Sequence, residues 1–207
     1  MIFSTDSPLY AIAAIVTIAS ITPGPNNFLV MRAALRSGIA GAVPSIAGIV
    51  VGSIGLLVIC LCGIGTLITS APKLRMLIVV AGGTYLGFLG VKMITSRAER
   101  GESPGEPVPQ SAPRRLLSSA TFQVLNPKSW ILVLSAIASA AANADTRHVF
   151  FEVGALLLAI PTICLFIWAV LGLSLTRWLS SGRSRRWFDR VMGTSLLLSS
   201  LTLLSSA

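Results

Sequence analysis

The chain is poor in charge. Only 11% of its 207 residues are Asp, Glu, Lys or Arg, against about 25% in a typical soluble domain. Acidic residues number seven and histidine one. With His148 alone in a short connection, no histidine cluster can hold a metal, and no Ser-His-Asp set can be assembled. A Gly-rich phosphate loop is also missing. These absences argue against an enzyme and against a bound cofactor. The three cysteines, Cys60, Cys62 and Cys164, all lie in apolar runs. Cys60 and Cys62 are not spaced as CxxC, so they read as small buried apolar side chains, with a soft-metal site as the alternative.

Apolar sequence is what the chain has instead. Hydrophobic residues make up 54% of it and the mean hydropathy is +0.83. Repeated apolar runs near 20 residues long mark a polytopic membrane protein of a single domain. The net charge of +9 does not indicate nucleic acid, because no basic face with interleaved aromatics appears. The basic residues cluster between apolar runs, where they orient helices and meet anionic lipid headgroups. The segment before Pro8 carries Asp6 and no Lys or Arg, so no cleavable signal is expected there.

Six apolar stretches are drawn: about 8–31, 39–69, 76–94, 116–142, 149–175 and 191–206. Pro161 is expected to kink the fifth. Arg32 and Arg36, then Lys92, Arg97, Arg100, Arg114 and Arg115, then Arg177, Arg183, Arg185, Arg186 and Arg190 fall in alternate connections. The opposite connections hold only Lys73, Arg75 and Arg147. The positive-inside rule then places both termini outside the cytoplasm, with Trp178 and Trp187 as interfacial aromatics. Residues 96–113, containing Pro, Glu and two Gly, are expected to be a mobile cytoplasmic linker. This linker separates halves of about 1–95 and 114–207. With three spans each, the halves would enter the membrane in opposite directions, as in inverted-repeat transporters. The GxxxG patterns Gly48–Gly52 and Gly83–Gly87 fit close packing within the chain better than a dimer interface.

Two segments interrupt apolar stretches about 100 residues apart: Thr22-Pro23-Gly24-Pro25-Asn26-Asn27 and Gln123-Val124-Leu125-Asn126-Pro127-Lys128. Pro23, Pro25 and Pro127 have no amide hydrogen, so carbonyls one turn earlier lose their partners. Lipid cannot replace those partners, so such breaks occur only against protein or a water-filled cavity. Broken helices at matching places in two halves point to a transporter's binding site. Asn26 and Asn27 either bind a solute at a half-helix N-terminus, which suits a carboxylate, or repair the broken backbone. Lys128 costs about 2.5–3.5 kcal/mol at mid-bilayer on insertion scales. It must face a cavity, where it would attract an anion, or snorkel to the cytoplasmic surface. Glu152 reads as an interfacial carboxylate or, alternatively, a proton-coupling one.

At these residues the chain resembles the LysE/RhtB family of bacterial amino-acid exporters. The resemblance rests on residues 22–30, Gly38 to Gly52, Gly82 to Lys92 and Phe122 to Lys128, and it covers nearly the whole chain. It implies an all-α inner-membrane transporter that exports neutral or basic amino acids on the proton gradient, with the proton as coupling ion, and a homodimer. Pro23, Gly24, Pro25, Asn26, Asn27, Asn126, Pro127 and Lys128 carry over as site residues, and Gln123 joins them as a polar neighbour. Many members have Asp where this chain has Asn26. Without that carboxylate to pair a cationic side chain, a small neutral amino acid is the expected cargo. A passive facilitator or a non-transporting scaffold are the other readings.

Overall fold

The computed structural model describes residues 8–65, 70–95, 111–140, 145–175 and 182–205. Within them every regular element is helical, and no strand occurs among the described residues. The helices are α1 (Pro8–Ile21), α2 (Pro25–Ile59), α3 (Pro72–Thr95), α4 (Ala112–Leu125), α5 (Pro127–Ala140), α6 (Thr146–Ser174) and α7 (Gly182–Leu204). A π segment, Cys60–Ile64, extends α2.

Helix α2 is not one rod. Ser37 and Gly38 leave helical geometry, and Gly38 takes φ +68°, a conformation that glycine adopts at little cost. In a straight helix Asn27 and Ser53 would stand about 39 Å apart, yet both line the same cavity. The bend at Gly38 therefore folds the limb 25–36 back along the limb 39–59. Their meeting surface holds Val30, Ala34, Ala42, Ile46 and Ile49, closed by Leu165 and Ala169 of α6.

The main core joins Ile12 and Val16 of α1, Leu56 and Leu57 of α2, Trp130 to Ala140 of α5 and Val149, Val153 and Leu157 of α6. The α1, α5 and α6 sets recur at three- or four-residue spacing, the inner stripe of a helix. A further cluster packs Met31 of α2 against Leu86 and Met93 of α3 and Met192 and Leu196 of α7. Large apolar side chains also stand on the outer faces: Ile18, Leu77, Phe88, Leu117, Phe151, Leu158, Leu198 and Leu201 are all exposed. Helices apolar all round belong in lipid. Pro25–Ile64 and Thr146–Ser174 are long and apolar enough to cross a membrane by length and composition.

Glycine sets the closest approaches. A Cβ on Gly48 would lie 2.2 Å from the Leu116 carbonyl oxygen, and one on Gly52 would lie 2.7 Å from that of Ala120. These glycines let α2 touch the backbone of α4. Gly90 and Gly193 meet in the same way, each facing the other's carbonyl oxygen where α3 crosses α7. In the second GxxxG pattern, Gly83 faces Leu204 and Gly87 faces Ser200, both on α7.

Several boundaries depart from the hydropathy reading. Polar residues extend helices beyond their apolar parts, so α7 begins at Gly182 rather than near Val191 and α4 begins at Ala112. The backbone stays helical through Pro161, inside α6. His148, expected in a loop, sits in the first turn of α6. Asp145 caps that turn by accepting from the His148 amide at 3.2 Å. The His148 ring lies 3.1 Å from Glu152. Residues 96–110 of the expected linker, Asp6 and Trp178 lie outside the described residues.

Candidate functional site

The two interruptions fall where the proline chemistry puts them. Helix α1 ends at Ile21 and α2 restarts with Pro25 at its first position; α4 ends at Leu125 and α5 restarts with Pro127. Both first arms are 14 residues long. Proline suits a helix start, because the hydrogen it lacks would be unpaired there anyway.

At the first break, Thr22 completes α1 through its amide and its hydroxyl, which both donate to Ile18 O. The next carbonyls need donors from elsewhere. Asn27 Nδ2 donates to Ser20 O and to Thr22 O, each at 3.0 Å. Both amide hydrogens of Asn27, which is 4% exposed, thus serve the broken backbone. Lys128 Nζ reaches across from α5 and donates to Thr22 O at 3.0 Å. Lys128 also lines the cavity that lies between the two breaks.

At the second break, Asn126 donates its amide to Gln123 O at 3.3 Å, the carbonyl that Pro127 deprives of a partner. The Asn126 side chain caps α5 by accepting from the Lys128 amide at 3.1 Å. Trp130 Nε1 donates to Val124 O at 2.8 Å. Asn126 Nδ2 then ties the two breaks together by donating to Asn26 Oδ1 at 3.3 Å.

Between the breaks lies a cavity of about 40 Å³, room for a few waters. Gly24, Pro25, Asn26, Asn27, Gln123, Asn126 and Lys128 all line it. Pro23 and Pro127 do not reach its wall; Pro127 packs instead against Gly82 of α3. Ser20, Ser53, Ser129 and Pro161 also line it, with Ala19, Ile49, Leu132 and Leu165 as apolar wall. Ser53 and Ser129 were missed from sequence. Their only signal was a hydroxyl inside an apolar stretch, a common sight in membrane helices.

The electrostatics are one-sided. Lys128 is the sole ionisable side chain in the lining, and no Asp, Glu or His lines the cavity among the described residues. The N-terminus of α5 is capped by Asn126, whereas the N-cap of α2 is Gly24, which has no side chain to cap with. That uncapped end carries partial positive charge. Lys128 Nζ stands beside it, 3.1 Å from where a Gly24 Cβ would be. Glycine at 24 is not needed for its backbone angles, which are extended; it leaves room for the ammonium. The arrangement can hold a small anion, such as a carboxylate, between the first turn of α2 and Lys128.

The family model described as LysE type translocator matches residues 17–207. A leucine efflux protein of Klebsiella pneumoniae subsp. pneumoniae is 28% identical over 174 residues, which span 83% of this chain and 81% of that protein. A leucine efflux protein of Salmonella typhimurium is 28% identical over 130 residues, 61% of this chain and 58% of that protein. The threonine efflux protein of Escherichia coli K12 is 29% identical over 124 residues, 58% of this chain and 60% of that protein. No solved structure matches.

Proposed function

The chain belongs to the LysE type translocator family, and we propose that it exports small neutral amino acids across the bacterial inner membrane, driven by the proton gradient. One observation carries this reading. Two broken helices meet around a shared polar cavity in which Lys128 is the one charged lining side chain among the described residues. The substrate carboxylate binds between Lys128 and the uncapped first turn of α2. The missing acidic side chain in the lining leaves a cationic substrate side chain without a partner. The leucine and threonine named for the relatives are both neutral.

Six spans in two inverted halves fit the packing. Span one is α1 with the first limb of α2, and span two is the second limb. Helix α3 is span three, α4 with α5 span four, α6 span five and α7 span six. Exchanging the first three spans with the last three leaves the main helix contacts unchanged: α3 packs on α7, α1 on α5, and both α1–α6 and α2–α4 pack as exchange partners. Alternating access would rock one half against the other around the cavity.

Efflux of radiolabelled amino acids, measured in everted vesicles or overproducing cells with and without an uncoupler, tests the reading. Selective, uncoupler-sensitive movement of neutral amino acids supports it; no movement of any amino acid overturns it. The absence of a carboxylate from the lining favours one second reading, a passive facilitator, for which equilibration would persist with the uncoupler present.

A further inference from the structure

We propose that Ser53 and Ser129, held by Gln123, form an ammonium-binding subsite in the cavity wall. The inference rests on the exporter reading and adds the half of the substrate that Lys128 cannot hold. Ser129 Oγ donates to Gln123 Oε1 at 3.2 Å. Gln123 Nε2 donates to Ser53 Oγ at 2.7 Å. Ser53 Oγ donates to Ile49 O at 2.9 Å. Each hydroxyl hydrogen is therefore directed into the protein, and a hydroxyl has one hydrogen and two lone pairs. Both serine oxygens keep lone pairs and have no hydrogen left to offer.

Several other polar groups of the cavity already have partners within the protein. Asn27 spends both amide hydrogens on Ser20 O and Thr22 O, and Thr22 O accepts two donors already. Asn26 Oδ1 accepts from Asn126, and Asn126 Oδ1 from the Lys128 amide. The Ser53–Gln123–Ser129 chain is also almost wholly enclosed: the three residues are 5%, 1% and 4% exposed. A network so buried and so connected is fixed in orientation. Gln123 is a positioning residue, since its amide decides which way both hydroxyls point. A zwitterion fits this polarity: a carboxylate toward Lys128 and α2, and an ammonium toward oxygens that only accept.

The test compares L-leucine with 4-methylpentanoate, which keeps the carboxylate and carbon skeleton and has no donor in place of the ammonium. Binding of each to the purified full chain is measured by calorimetry. The S53A/S129A double variant should weaken leucine binding about tenfold or more, as expected for lost hydrogen bonds to a charged group, and leave 4-methylpentanoate nearly unchanged. S53T/S129T, which restores the hydroxyls, should restore the preference for the amine. Q123L should lose the preference with both serines present. Equal weakening of both ligands, no weakening of either, or wild-type protein that fails to prefer the amine, including by binding neither ligand, overturns the subsite. The exporter reading fails separately, if vesicles move no amino acid whatever the binding shows.

Discussion

At the residue scale, the breaks show what an isolated side chain does when the backbone needs it. Asn27 replaces two amide donors that the Pro-Gly-Pro segment cannot direct to Ser20 O and Thr22 O. Replacing it with Ala would leave the Ser20 carbonyl without this donor, at about 1–3 kcal/mol, while Thr22 O would keep Lys128. N27A should therefore lower the thermal midpoint of the purified protein, and export with it. Lys128 differs, because Thr22 O retains Asn27 as a donor when the ammonium is gone. K128M should keep its thermal midpoint and lose export. Equal loss of stability in the two variants would mean that Lys128 is a strut and no more. The repairing role of Asn27 was one of two readings open from sequence. Nothing in the sequence decided between them, because the same amide can serve a solute or a carbonyl, and the choice depends on where the chain on the far side of the turn returns.

At the element scale, glycine decides how closely α2 approaches α4, and so whether Ser53 reaches Gln123. Gly48 and Gly52 abut carbonyl oxygens of α4, while Gly55, one turn further, has nothing within 4 Å of its added Cβ. G48A should push the helices apart, with a lowered thermal midpoint and reduced folded yield. G55A should be tolerated or slightly stabilising, by about 0.5–1 kcal/mol from helix propensity. Similar behaviour of the two variants would disprove the close packing. The breaks at Pro25 and Pro127 were legible in the sequence because proline's missing hydrogen acts locally. The placement of Ser53 and Ser129 was not: each faces the cavity only through the phase of its helix, one turn from Ile49 and near Leu132 respectively. In an all-round apolar helix, hydropathy carries no phase. Trp130 was hidden for the same reason, its indole hydrogen serving Val124 O six residues back.

At the scale of the whole molecule, the charge pattern and the packing make one joint statement about direction. If the halves are inverted, α1 and α4 enter the membrane from opposite faces, and the half-helices α2 and α5 start near mid-membrane and run opposite ways. The basic connections then all fall on one side, including Arg36 at the turn of α2, Arg115, whose Nη1 donates to Gly41 O at 3.1 Å, and the exposed Arg183 and Arg186 of α7. The opposite side keeps Arg147 and the His148–Glu152 pair. Single cysteines placed at Ser37, Ser111 and Arg183, in a chain with its three native cysteines replaced, should resist a membrane-impermeant maleimide in intact cells and react in everted vesicles. Cysteines at Asp145 and Arg147 should do the reverse. Labelling of Ser37 and Asp145 positions from the same side would require an even number of crossings between them, and two inverted three-span halves could not then exist. Opposite labelling would fix an odd number, and with it the antiparallel entry on which a cavity shared by the two breaks depends.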